Sequence, residues 1–208
     1  YITLDGEDNS KTVLVGAHAD TLGLVVRTID SDGKIRVRQL GGVNYANLEG
    51  ETLTVHTRDG REYTGLFACQ SHSVHVFDDA RTLERNEKTM FLILDERVNS
   101  KDDVKALGIR NGAFISIEPR CKFTESGYIK SRFIDDKAAV ACCFTVIKYL
   151  KENGLKPKYR TVFAFPYGEE IGLGGTYVPE GVSEYVAVDI GLIGPGYDGN
   201  EFAVSICA

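Results

Sequence analysis

Between about Leu22 and Pro119 the chain is written in short runs of β-branched and aromatic residues: LVVRTI, KIRVRQL, TLTVHT, MFLILD and AFISIE. Each run is too short for a helix that could bury a face, and several alternate apolar with polar residues, the period of a half-buried strand. Asp32-Gly33, Asp59-Gly60 and Asn111-Gly112 punctuate them. These dipeptides favour the positive-φ turns that join adjacent antiparallel strands. Strands of this kind bury their apolar faces only against one another, so the segment predicts a small β-barrel or sandwich. SKDDVKALG is its one helical stretch, with Ser100 as N-cap and Gly108 as stop.

The flanking segments follow a different pattern. TVLVGAH, residues 12–18, is an apolar run ending in HADTLG, as expected of a strand buried on both faces that delivers a loop at its C-terminal edge. Residues 136–153, DKAAVACCFTVIKYLKEN, carry Ala139, Cys142, Cys143, Val146, Tyr149 and Leu150 at helical spacing, and Gly154 closes the helix. Thr161–Phe165 then reads as a buried strand before Glu169-Glu170, and EYVAVDIG as another with Asp189 at its end. The predicted fold class is α/β: an open mixed sheet with flanking helices, formed by residues 1–21 and 120–208, interrupted by a small β-barrel over 22–119.

The bulk properties exclude several classes. A net charge of −6 without a basic stripe argues against a nucleic-acid partner. No apolar run reaches the ~20 residues of a membrane span and no signal-peptide pattern opens the chain, so a cytoplasmic protein is expected. Cys69, Cys121, Cys142, Cys143 and Cys207 form no C-x-x-C and read as buried free thiols. The chain opens at Tyr1 and stops at SICA, which has the pattern of a strand; a piece of a longer protein is expected.

Polar residues collect at strand ends and helix starts: His18 and Asp20, then Asp135-Asp136, then Glu169-Glu170, then Asp189. In an open α/β sheet ligands bind beyond the carboxyl ends of the strands. Several acids and one imidazole converging there repel unless a cation neutralises them, and this N/O donor mixture suits Zn²⁺, Co²⁺ or Mn²⁺. Adjacent carboxylates then divide the work: Glu170 ligates, while Glu169 stays free to take a proton from water. The competing readings are a solvated pair for Glu169-Glu170, helix capping for one of Asp135 and Asp136, and a loop acid for Asp189. His72, His75 and His56, in the β segment, read as structural or exposed histidines. Gly172, Gly174 and Gly175 lack dinucleotide-binding spacing and are expected to let the backbone pass close to the site.

In the order HADTLG, FIDDKAAV, PYGEEIGLGG and VAVDIG, with a β insertion between the first two, the chain resembles the M42 family of metallo-aminopeptidases. The resemblance implies two divalent metal ions, Zn or Co with Mn possible. His18, Asp135 and Asp189 would hold one ion, while Asp135, as the bridge, and Glu170 would supply part of the other site. It implies Glu169 as catalytic base assisting a metal-bound hydroxide, and Asp20 as the carboxylate orienting His18. Peptides would be the substrates, and the β insertion the module through which copies associate, from dimer to dodecamer. Two departures stand out: Thr21 replaces the Glu that more often follows H-x-D, and no residue after Asp189 matches the family's downstream histidine. The alternative functions are a non-catalytic metal-binding or assembly scaffold and an endoglucanase-type glycosidase. The second needs carboxylates ~5–9.5 Å apart across the scissile bond, which neighbouring glutamates do not readily give.

Overall fold

A computed structural model describes residues 1–197, 199–200 and 202–206. The chain divides into two compact units, Tyr1–Thr21 with Phe133–Ala208 and Leu22–Arg132. It opens with β1 (Ile2–Leu4) and β2 (Asp8–Gly16) of the first unit. The second unit follows with β3 (Gly23–Ile29), β4 (Ile35–Leu40), β5 (Thr52–His56), β6 (Glu62–Cys69), β7 (Met90–Leu94), α1 (Lys101–Ala106), β8 (Phe114–Ile117), β9 (Lys122–Phe123) and β10 (Ile129–Lys130). The chain then returns with α2 (Ile134–Glu152), β11 (Tyr159–Ala164) and β12 (Val182–Ala187).

The second unit is a closed barrel, in the order β3-β4-β7-β6-β5-β8. Alternation puts Leu24 and Val26 of β3, Ile35 and Val37 of β4, and Leu53 and Val55 of β5 inside, all at most 2% exposed. Gly33, Gly60 and Gly112 take φ of 83–84°. The turns at Gly33 and Gly60 join antiparallel pairs, β3 to β4 and β5 to β6, as the sequence predicts, whereas the one at Gly112 leads from α1 into β8. Ser100 caps α1 by accepting a hydrogen bond from the Asp103 amide at 3.2 Å. The unit extends beyond residue 119. The Arg132 amide donates to Pro119 O at 2.8 Å and its guanidinium reaches Glu118 O and Glu51, so the β9–β10 ribbon is tied back to the barrel's own chain. The division therefore falls at 132/133 where the sequence suggested 119/120.

The first unit holds a four-stranded mixed sheet, β1-β11-β2-β12, in which β11, β2 and β12 run parallel and β1 antiparallel. Its sides have separate cores: Leu14, Val162 and Ala164 on one, and Ala17 and Phe163 packed with Ala139, Cys143 and Ile147 of α2 on the other. Among the described residues α2 is this unit's only α-helix, fewer than the flanking helices expected. Its buried stripe is 136, 139, 143 and 147, an i, i+3/i+4 face, whereas Val146 and Tyr149 are 48% and 59% exposed. Cys142 and Cys121 are exposed rather than buried, while Cys69 and Cys143 are buried; Cys207 lies outside the described residues. Ser205 and Ile206 show no strand, and the rest of SICA is outside the described residues. No described helix is long and apolar enough to cross a membrane.

Candidate metal centre

The three parallel strands end on one edge of the sheet, and the polar residues follow their ends. After β2 the chain is held by Ala17 N–H to Ala164 O at 3.1 Å and Ala19 N–H to Pro166 O at 3.0 Å, which fixes His18 between them. His18 is 3% exposed. Its Nε2 lies 3.1 Å from Asp135 Oδ1 and 3.7 Å from Glu169 Oε2. Nδ1 is 3.4 Å from Asp20 Oδ1, close enough for charge attraction but outside hydrogen-bond geometry, and this buried nitrogen has no hydrogen-bond partner.

Beside its approach to the imidazole, Asp20 binds a second element. Its Oδ1 accepts from the Glu169 amide and its Oδ2 from the Glu170 amide, each at 3.2 Å, so one carboxylate clamps the backbone of both glutamates. These two residues form a short 3-10 turn (Glu169–Ile171) entered through Gly168 and left through Gly172, with φ of 94° and 79°. A Cβ on Gly174 would lie 3.0 Å from Glu169 Cβ, so this glycine allows the close backbone passage expected of the run. Nothing crowds Gly175.

At the start of α2, Asp135 and Asp136 have non-helical backbone angles, the peptide between them is cis, and no side-chain hydrogen bond caps the helix. The capping role expected for one of them is therefore replaced by another. Asp136, 1% exposed, accepts the His18 backbone N–H on Oδ2 at 3.1 Å. Sequence reasoning placed this residue among the converging acids but gave it no part in holding an ion. An acid at a helix start is ambiguous until its burial is known.

Two groups result, each offering donor atoms within 4.8 Å of one another: His18 with Asp136 and Asp189, and His18 with Asp135 and Glu170. Asp189, expected to share an ion with Asp135, is thus grouped with Asp136. Glu169 belongs to neither group. The electrostatics match the crowding. Burial, then the charge of Asp189, pushes Asp136 up to about 6. Burial, then Asp135, raises Glu170. Burial pulls His18 down, but the hydrogen bond to Asp135 and the charges of Glu169, Asp189 and Asp20 outweigh it, and its pKa rises. His72 and His75 are exposed in the barrel unit, His72 Nδ1 meeting only Cys69 O at 3.2 Å, and neither belongs to these groups.

A pH dependence follows. In protein stripped of divalent ions, Asp136 keeps a proton that the unfolded chain releases from about pH 4. Its contribution is full below that pH and is lost as pH rises through 6, on the order of 3 kcal/mol. The raised His18 acts in the same direction above its unfolded value of about 6.5. Urea midpoints of the chelated protein should therefore fall from pH 4 to 7 relative to Asp136→Asn; parallel curves for the two proteins would contradict this.

The polar edge opens into a pocket of about 260 Å³ whose lining includes His18, Glu169, Asp189, Gly16 and Tyr185. Set beside known proteins, residues 1–208 match the M42 glutamyl aminopeptidase family throughout. The chain belongs to the M42 glutamyl aminopeptidase family. Within it, the chain is 42% identical to the protein YhfE of Bacillus subtilis (strain 168) over 206 residues, 99% of this chain and 60% of that one. It is 26% identical to the lysyl aminopeptidase of Pyrococcus furiosus over 166 residues, 80% of this chain and 46% of the relative. Among solved structures it resembles aminopeptidase APDkam598 of the archaeon Desulfurococcus kamchatkensis, with a TM-score of 0.78 and 26% identity over 94% of this chain and 52% of that one. The TET1 peptidase of Pyrococcus horikoshii, described as able to assemble into a tetrahedron or a large octahedral shell, gives a TM-score of 0.71 and 26% identity over 90% and 55%. This M42 chain thus spans between 46% and 60% of the length of these relatives.

Proposed function

We propose that the protein carrying this chain is a metal-dependent aminopeptidase that removes N-terminal residues from peptides. The observation that carries the reading is a single buried imidazole shared by two trios of acid and imidazole donors at the strand ends of an M42 fold. The donor set fits divalent cations: nitrogen and carboxylate oxygens at the right mutual spacing, an imidazole nitrogen with no hydrogen-bond partner, and two acids, Asp136 and Glu170, whose pKa values are raised by burial first and by neighbouring carboxylates second. His18, Asp135, Glu170 and Asp189 would hold two such ions, Zn²⁺ or Co²⁺ with Mn²⁺ also compatible, and Asp136 adds a buried carboxylate to the Asp189 side. Bound there, the ions supply Lewis-acid polarisation of the scissile carbonyl and a lowered water pKa.

The chain's own residues divide the remaining roles. Glu169, outside both donor groups and 47% exposed at its side chain, is free to take a proton from the attacking water and pass it to the leaving amine. Asp20 fixes where that carboxylate stands by holding the two amides of the turn. Asp136 holds the His18 backbone in the same manner from α2. An endoglucanase gives no use for a buried histidine between two acid groups, and a non-catalytic metal-binding or assembly scaffold gives none for Glu169, which stands beside both groups without joining either. The barrel is proposed as the surface through which copies associate; its exposed Phe114, Leu66 and Ile93 support that reading.

The test is hydrolysis of aminoacyl-p-nitroanilides by the full-length protein before and after chelation, with Co²⁺ or Zn²⁺ then restored. Activity should vanish with the chelator and return with the metal. Turnover that survives complete metal removal, or cleavage of a cellulose oligomer in its place, would overturn the assignment.

A further inference from the structure

Four side chains give the pocket its polarity: His18, Glu169, Asp189 and Tyr185. The reading above uses the first three, and the fourth has no role in it. Tyr185 pairs with Leu14 across β12 and β2, yet its ring leans along β2 toward Gly16, on the way to His18. A Cβ on Gly16 would stand 2.5 Å from the Tyr185 hydroxyl oxygen and 2.8 Å from a ring carbon. The glycine therefore leaves the space that the phenol occupies, and any larger residue would drive the ring out of the pocket. Tyr185 is 52% exposed, and no described residue hydrogen-bonds its hydroxyl.

Distance decides what such a hydroxyl can meet. Gly16 precedes His18 by two residues, so their Cα atoms stand at most roughly 7 Å apart, and the phenol beside Gly16 lines the same pocket as the imidazole. The remaining walls that bear on this point, Pro166, Ala187 and Val188, are apolar, and Gly172 and Gly174 offer no side chain. A volume of about 260 Å³ lies below the ~300–1,000 Å³ of pockets for drug-sized ligands and suits one amino-acid side chain.

We infer that Tyr185 is a specificity-determining residue, whose hydroxyl hydrogen-bonds an uncharged polar side chain, of the carboxamide type, on the substrate's N-terminal residue. The inference rests on the aminopeptidase reading for the identity of the substrate, but the binding contact itself does not need turnover. Glu169, which belongs to neither donor group and keeps its own charge, disfavours an acidic side chain at the same pocket, and the apolar walls cover the methylenes of a neutral one. A single neutral hydrogen bond at a half-exposed site is worth about a three- to ten-fold preference.

The experiment compares wild type with Tyr185→Phe, which keeps the ring over Gly16 and removes only the oxygen; matching circular dichroism and thermal midpoints confirm the fold. Two arms are run on metal-loaded full-length protein: kcat/KM for glutaminyl- against leucyl-p-nitroanilide, and calorimetric binding of glutamine amide against leucine amide. The glutamine-to-leucine ratio should favour glutamine in wild type and drop three- to ten-fold in the variant, in both arms. An unchanged ratio, an equal loss on both side chains, or no binding preference in wild type would overturn the assignment. If no nitroanilide is turned over, the peptidase reading fails, and the calorimetric ratio alone decides for or against Tyr185.

Discussion

Glu169→Gln in the metal-loaded full-length protein is expected to lower kcat by about 10²–10⁴-fold while KM changes little and metal is still bound. Glutamine preserves the size of the side chain and the backbone N–H that Asp20 holds at 3.2 Å, so the turn should stay where it is. What it loses is a group able to take a proton. Because Glu169 is in neither donor trio, metal content measured on the purified variant should match wild type. Glu170→Gln should behave in the opposite way, losing metal first and activity as a consequence. Were Glu169→Gln to keep full activity with metal in place, the base would lie elsewhere. Were it to lose its metal, Glu169 would be a ligand.

The second large effect is on stability. Saturating the chain with Zn²⁺ or Co²⁺ at a thousand-fold excess over the dissociation constant should stabilise it by about 4 kcal/mol for each ion bound. For a chain of this size each ion then raises the thermal midpoint by roughly 8–16 °C. The two trios share His18, so His18→Ala should lose nearly the whole increment, whereas Asp189→Ala removes a donor from one trio and should retain part. Each increment is the difference with and without metal in the same variant, so a change in the apo stability of a buried site does not disguise the answer. An undiminished shift in His18→Ala would mean that the ion binds elsewhere. The sign of the pH dependence should also change. Metal requires the acids and imidazole deprotonated, so the loaded protein should gain stability from pH 5 to 7 where the stripped one loses it.

The barrel was legible because its strands are short and alternate: alternation marks the inward residues, and Asp-Gly turns mark the reversals from β3 to β4 and from β5 to β6. The end of that unit was not, because the ties that hold 120–132 to it run from Arg132 to Pro119, Glu118 and Glu51, contacts that no local pattern announces. In α2 the apolar pattern was broad enough to place the helix but not to orient it. Val146 and Ile147 are adjacent letters, and only the sheet underneath decides that Ile147 is the buried one. The site's outline was readable from polar residues that follow apolar strands. Which acid of Asp135-Asp136 lies deep was not, since a helix start welcomes either. Nor does the sequence show that Tyr185 reaches Gly16, because that pairing exists only once β12 lies beside β2.

The central claim is that His18 and acids from three distant segments enclose divalent cations. Anomalous diffraction at the zinc edge, from crystals of the full-length protein loaded with Zn²⁺, tests it most directly. Two peaks are predicted, one with a His18 nitrogen and an Asp189 oxygen at about 2.0–2.2 Å, the other with Glu170 in its coordination shell. Zinc found only at other surface positions, with no peak within bonding distance of His18, would contradict the account.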